Sequence, residues 1–145
     1  MDPFCPGVLL VEDNDLDAEK VIRAFAKIGV ARPVTRARNG IEALDVLRRH
    51  TPVDGAPPHY VVLLDLNMPC MNGIEFLEEL RTEERFASTP VFVLTTSGRE
   101  VDVSTAHRHH ISGYLVKPLS MAEMIETLRA ANSFWAVCRI PHRAA

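Results

Sequence analysis

Short all-apolar runs alternate along the chain with longer stretches in which apolar residues return every three or four positions. Val8-Leu9-Leu10-Val11, Tyr60-Val61-Val62-Leu63-Leu64 and Pro90-Val91-Phe92-Val93-Leu94-Thr95 lack polar alternation, the pattern of strands covered on both faces. Gly113-Tyr114-Leu115-Val116 predicts a further strand, and Pro33 to Arg38 a weaker one. The intervening spacing predicts helices. Leu16 to Ile28 sets Ala18, Ile22, Phe25 and Ile28 on one side and stops at Gly29. Asn39 suits an N-cap for a helix with Ile41, Leu44 and Leu47 inward. Gly73 opens a helix with Ile74, Leu77 and Leu80 inside and Glu75, Glu78 and Glu79 outside. Arg99 to His110 predicts a poorer helix, with little beyond Val103 and Ala106 to bury. Ser120 caps a last helix through Ala136, with Met121, Met124, Leu128 and Trp135 along one side. Thr51 to His59 carries three prolines and a glycine and is a loop.

Five strands alternating with five helices imply right-handed crossovers. The expected class is therefore α/β, a doubly wound five-stranded parallel sheet of flavodoxin-like order 2-1-3-4-5, with helices on both faces. The expected boundaries are a lead-in over 1–7, one domain over 8–136 and a C-terminal tail over 137–145, a candidate dimerisation arm. Only ten residues follow Trp135, too few for an output module, so output through protein contact is expected.

Composition narrows the functional classes. With 47% hydrophobic and 24% charged residues, the chain is neither disordered nor fibrous. A net charge of −3 with scattered Lys and Arg offers no basic stripe for nucleic acid. No apolar run is long enough to span a membrane, and Met1-Asp2-Pro3-Phe4-Cys5-Pro6 is no signal peptide. Cys5, Cys70 and Cys138 are odd in number and far apart, giving neither a disulfide framework nor a metal-ligand pair. A reducing, cytoplasmic setting is expected.

The candidate chemistry lies just beyond the strong strands. The first ends in Glu12 and Asp13, the third in Asp65, the fourth in Thr95 and the fifth in Lys117. In the expected order these strands are neighbours, so their end residues converge on one edge of the sheet. Two carboxylates about 4 Å apart repel by roughly 4 kcal/mol at an effective dielectric near 20. A lysine and a hard divalent cation such as Mg2+, which takes oxygen ligands, would compensate. Each residue alone has a plainer explanation: capping acids, a surface threonine, a solvated lysine, a turn aspartate. Their agreement at four strand ends is what sets them apart.

The motifs Leu9-Leu10-Val11-Glu12-Asp13, Leu64-Asp65-Leu66-Asn67-Met68-Pro69 with Gly73, Val93-Leu94-Thr95-Thr96-Ser97 and Tyr114-Leu115-Val116-Lys117-Pro118 resemble those of a response-regulator receiver domain, the phosphoacceptor module of two-component signalling. They follow the family's order and spacing across residues 8 to 136. Glu12-Asp13-Asn14, Leu94-Thr95-Thr96-Ser97 and the late Phe134-Trp135 resemble the stand-alone regulators paired with phytochrome-type histidine kinases. The resemblance implies that Asp65 accepts a phosphoryl group from a sensor histidine kinase. It also implies Mg2+ on Asp13, Asp65 and the backbone carbonyl of Asn67, with Glu12 acting through water. Thr95 and Lys117 would contact the phosphoryl oxygens, and small Thr96 would leave the group accessible. Thr95 and Tyr114 would form the switch of the helix 4 and strand 5 face, a cis bond before Pro118 would aim Lys117, and the chain would be a homodimer. Such a protein catalyses its own phosphotransfer and slow dephosphorylation without being a metabolic enzyme, and holds no organic cofactor.

Some residues and rival classes fit less well. His107 and His110 could share a helical face, but no carboxylate or cysteine joins them and His109, so a dimer contact or pH-sensitive surface is the better expectation. Ser97, two places after Thr95, has neither charge nor bulk, so its residue type leaves control of hydrolysis from that position open. An aspartyl-phosphate hydrolase would place an acid two residues after Asp65, where Asn67 stands. An FMN binder would need a hydroxyl-rich loop where Glu12-Asp13-Asn14-Asp15 lies. A degenerate receiver acting without phosphorylation remains as the alternative, weakened because every acceptor-site residue is present.

Overall fold

Strands without polar alternation need cover on both faces, and two layers of helices supply it. The computed structural model describes residues 7–29, 32–50 and 60–138. In chain order these form β1 (Gly7–Val11), α1 (Asp15–Ile28), β2 (Val34–Ala37), α2 (Gly40–His50), β3 (Tyr60–Leu64), α3 (Gly73–Thr82), a 3-10 turn (Glu84–Phe86), β4 (Val91–Thr95), α4 (Glu100–Arg108), β5 (Gly113–Val116) and α5 (Met121–Val137). The strands form one parallel sheet in the order β2-β1-β3-β4-β5, as the alternation implied. Of the expected lead-in only Gly7 is described, and it opens β1; α5 extends one residue into the expected tail, and the 51–59 loop and the tail beyond Cys138 lie outside the described residues.

Alternate side chains of the central strands feed two cores. Leu9, Val11, Val62, Leu64, Val91 and Val93 pack with Leu44 and Leu47 of α2 and with Phe76, Leu77 and Leu80 of α3. Val8, Leu10, Val61, Leu63, Phe92 and Leu94 point the other way, toward α1 and α5. There Trp135 stacks on Phe25 at 6.2 Å and meets Phe92 edge-on at 5.5 Å.

Two of the expected inward residues face out. Ile22 is 41% exposed and Ile41 58% exposed. Val21 and Ala24 fill the inner stripe of α1, and Ala43 and Val46 join Leu44 and Leu47 on α2. On each helix a neighbouring smaller residue lies closer to the centre of the buried stripe, and the isoleucine falls on its edge.

Helix starts are capped by their own side chains. Asn14, Asn39 and Ser120 accept from the backbone N–H groups of Asp17, Glu42 and Glu123, and Asn72 with Glu75 forms a full capping box. Gly29 ends α1 in the left-handed conformation, φ 78°. The exception is α4, whose Arg99 makes no capping side-chain bond and which buries only Ala106. It is shorter than expected, leaving His109 and His110 in the following turn.

That turn is held from outside. Arg81 of α3 donates to the carbonyls of His109 and His110 and to those of Phe86, Ala87 and Thr89, at 2.8–3.2 Å. One guanidinium thus ties α3, the approach to β4 and the approach to β5. Replacing it with methionine strands five carbonyls; Arg81→Met should lower unfolding free energy by about 2–3 kcal/mol in urea titrations.

Candidate functional site

The sheet ladder runs one residue past each strand and so fixes the backbone of the site. Glu12 N–H bonds to Ala37 O at 2.9 Å, Asp65 N–H to Val11 O at 3.0 Å and Lys117 N–H to Thr95 O at 2.7 Å. With Val11 opposite Leu64 and Thr95 opposite Val116, the residues that follow each strand are brought together at the carboxyl edge. Glu12, Asp13 and Asp65 each place a carboxylate oxygen within 4.8 Å of the others. Glu12, Asp65 and Thr95 are buried, at 2%, 7% and 0% exposure, whereas Asp13 is half-buried.

Lys117 is the cation among these acids. Its Nζ lies 3.1 Å from Glu12 Oε2, 3.1 Å from Asp17 Oδ2 and 3.6 Å from Asp65 Oδ2. Burial pushes the Glu12 carboxyl up to about 8, and the hydrogen bond and charge of Asp65 add to it against the opposing pull of Lys117. Burial alone would lower Lys117, but the charges of Asp65 and Glu12 and its bonds to Asp17 and Glu12 hold the ammonium above its usual range. Two buried oxygens in this cluster have no partner, Glu12 Oε1 and Thr95 Oγ1. Converging carboxylates with an unpaired buried oxygen fit a small hard divalent cation. The unpaired hydroxyl fits an incoming hydrogen-bond acceptor.

The turn after β3 shapes the approach. Asn67 is exposed, and its N–H lies 3.4 Å from Asp65 Oδ1. Gly73 bonds through its N–H to Leu66 O at 3.0 Å, and a Cβ there would stand 2.6 Å from Leu66 Cα and 2.7 Å from Asp65 O. Only glycine lets α3 seat directly on the acidic strand end. Thr96 is exposed beside Lys117.

On the far side, Tyr114 donates its hydroxyl to Ser97 O at 2.6 Å, and Ser97 Oγ donates to the Asp102 carboxylate at the start of α4. Ser97 therefore couples the tyrosine to α4, a role its small size concealed. The bond before Pro118 is trans, contrary to the cis bond that the resemblance implied. With its N–H held by Thr95 O, Lys117 already reaches Glu12 and Asp17. The histidines form no cluster: His107 lies in α4, His109 and His110 follow it, and His109 Nε2 stands 4.0 Å from Glu78.

Two site residues were not foreseen. Asp17 is one. Arg36 of β2 is the other: it donates to Glu12 O and Asp13 O at 3.0–3.2 Å and pairs with Asp15 at 2.8 Å. A basic residue on a strand otherwise fit for burial was the available signal.

With this geometry, a model of the response regulator receiver domain matches residues 8–129. The chain belongs to that family. This receiver is 39% identical over 134 residues to the probable methanogenesis regulatory protein FilR2 of Methanothrix harundinacea, covering 92% of this chain and 84% of the relative. It is 30% identical over 128 residues to response regulator Rcp1 of Synechocystis sp., covering 88% and 87%. The phosphorylated cyanobacterial phytochrome response regulator RcpA superposes with a TM-score of 0.81 at 28% identity, covering 94% of this chain and 98% of that one. The Mn(2+)-bound form of Rcp1 superposes with a TM-score of 0.79 at 29% identity, covering 94% and 99%. Receivers of this kind are signalling proteins rather than metabolic enzymes.

A divalent cation held by this cluster would bind in a pH-dependent way, because the Glu12 carboxyl is raised. A divalent cation favours the ionised form, so binding below pH 8 must expel a proton. Calorimetry of divalent-cation binding should show proton release at pH 7 that fades by pH 9, with log K rising by up to about one per pH unit and flattening above 8. Glu12→Gln should abolish that slope.

Proposed function

We propose that this receiver is a phosphoacceptor that takes a phosphoryl group from a sensor histidine kinase onto Asp65. The observation that carries the reading is a buried carboxylate with Lys117 Nζ 3.6 Å away and, at the same sheet edge, an unpaired Thr95 hydroxyl. Asp65 is the nucleophile. An Oδ–P bond forms as the P–N bond to the donor histidine breaks, and the electron pair returns to the imidazole, which takes up a proton. Lys117 balances charge on the equatorial oxygens, and Thr95 donates its hydroxyl to one of them. Asp13, Asp65, the Asn67 carbonyl and, through water, Glu12 would hold Mg2+, which when bound neutralises charge on the transferring group. These residues keep the acceptor fixed at the sheet edge while exposed Thr96 leaves the approach open.

Output follows from the link between Thr95, Tyr114 and α4. Drawing the Thr95 hydroxyl to a phosphoryl oxygen lets Tyr114 leave Ser97 and turn inward, which frees α4 and remodels the α4–β5 face. That face carries exposed Val101 and Val116, and α5 exposes Phe134 and Val137. Their apolar character supports a homodimer through α4, β5, α5 and the tail, and signalling to a protein partner in the cytoplasm. The likeness to Rcp1 and RcpA supports a phytochrome-type kinase as donor.

Incubation with acetyl phosphate and Mg2+ should add one phosphoryl group, stable in acid and released by hydroxylamine. Asp65→Asn should take none, and Thr95→Ala should label at least roughly tenfold more slowly. Equal labelling of wild type and Asp65→Asn in mass spectra would sink the assignment. Light scattering should give a dimer at tens of micromolar, and a monomer with the tail intact would remove that part of the reading.

A further inference from the structure

Lys117 serves more acids than phosphoryl transfer requires. Its Nζ donates to Glu12 and to Asp17, each at 3.1 Å, and stands 3.6 Å from Asp65 Oδ2, beyond hydrogen-bond length. Glu12 and Asp65 belong to the trio of converging carboxylates, but Asp17 does not. Asp17 comes from the first turn of α1 and is a third exposed.

We propose that Asp17 is a positioning residue that latches Lys117 away from Asp65 in the resting protein, so that phosphoryl transfer breaks the Lys117–Asp17 pair. The inference rests on the reading of Asp65 as acceptor. An ammonium has three donors, and two are taken by Glu12 and Asp17. Asp17 cannot follow the lysine inward, because its helix is fixed at this turn by the bond from Asp17 N–H to Asn14 Oδ1 at 2.9 Å. A phosphoryl group raises the negative charge at Asp65 and strengthens its pull on the ammonium. Of the two present partners, Asp17 is the one that can release it. Its carboxylate is partly solvated and loses little, whereas Glu12 is buried and would be left short. Lys20, one turn along α1, lines the same cavity of about 140 Å³ as Asp17 and Lys117, and offers Asp17 a replacement cation.

The test compares labelling rates with acetyl phosphate for wild type, Asp17→Asn and Asp17→Glu, each with Lys117 and with Lys117→Met. Asp17→Asn should label about 3- to 5-fold faster when Lys117 is present, the size of a partly exposed ion pair, and no faster in Lys117→Met. Asp17→Glu should restore the wild-type rate. Equal acceleration in both backgrounds would mean relief of general repulsion against an anionic donor, and an unchanged or slower rate would mean no latch; either overturns the proposal. A crystal structure of Asp17→Asn decides the point without phosphorylation. Lys117 Nζ should close on Asp65 Oδ2 to hydrogen-bond distance, and a lysine that stays at 3.6 Å sinks the latch. If wild type takes no label, the acceptor reading falls, and the latch is still decided by the lysine's position.

Discussion

Repulsion among carboxylates at one edge of a sheet is the constraint to which the rest of this molecule answers. Two such charges within 4.8 Å repel by at least about 3.5 kcal/mol at an effective dielectric near 20, and Glu12 and Asp65 are both buried. One lysine, 3.1 Å from Glu12 and 3.6 Å from Asp65, offsets part of this. The balance is still incomplete, as the unpaired Glu12 Oε1 and Thr95 Oγ1 record. A site left in that condition favours whatever arrives with positive charge or fresh hydrogen-bond acceptors. The ladder bonds at Glu12, Asp65 and Lys117 keep the side chains from relaxing apart. The sheet thus holds together groups that would separate in water.

The central strands were legible because burial on both faces leaves no room for polar alternation, as in Val8–Val11 and Tyr60–Leu64. Strand order followed from the alternation of elements, and Asp13, Asp65, Thr95 and Lys117 from their positions directly after strands. What was not legible depends on distances between elements. Ile22 and Val21 are adjacent and similarly apolar, and only the placement of α1 against α5 decides which is buried. Asp17 read as an ordinary first-turn acid because its partner lies 100 residues away. Arg36 was hidden in the weakest strand, where its bonds to Glu12 and Asp13 carbonyls could not be inferred from spacing. The isomer before Pro118 is likewise a property of the folded loop.

Family membership and local geometry answer different questions. The match across residues 8–129 establishes a receiver, and the solved relatives share its fold over nearly the whole chain. The local geometry lies around the acids of the sheet edge. Asn67 occupies the place where a hydrolase would carry a second acid, and Gly73 brings α3 down onto the Asp65–Leu66 backbone with no space for a methyl group. Asp65 is therefore backed directly by the start of α3.

The Arg81 knot gives α4 unequal ends. The turn after the helix is clamped through the carbonyls of His109 and His110, while Arg99 at its start has no side-chain cap and is steadied through Asp102 and Ser97. A helix pinned at one end and loosely held at the other moves like a door on its hinge. Any displacement of α4 would then be largest at its Val101 end and smallest at the clamped turn. A protein docked on this surface would meet a tilt.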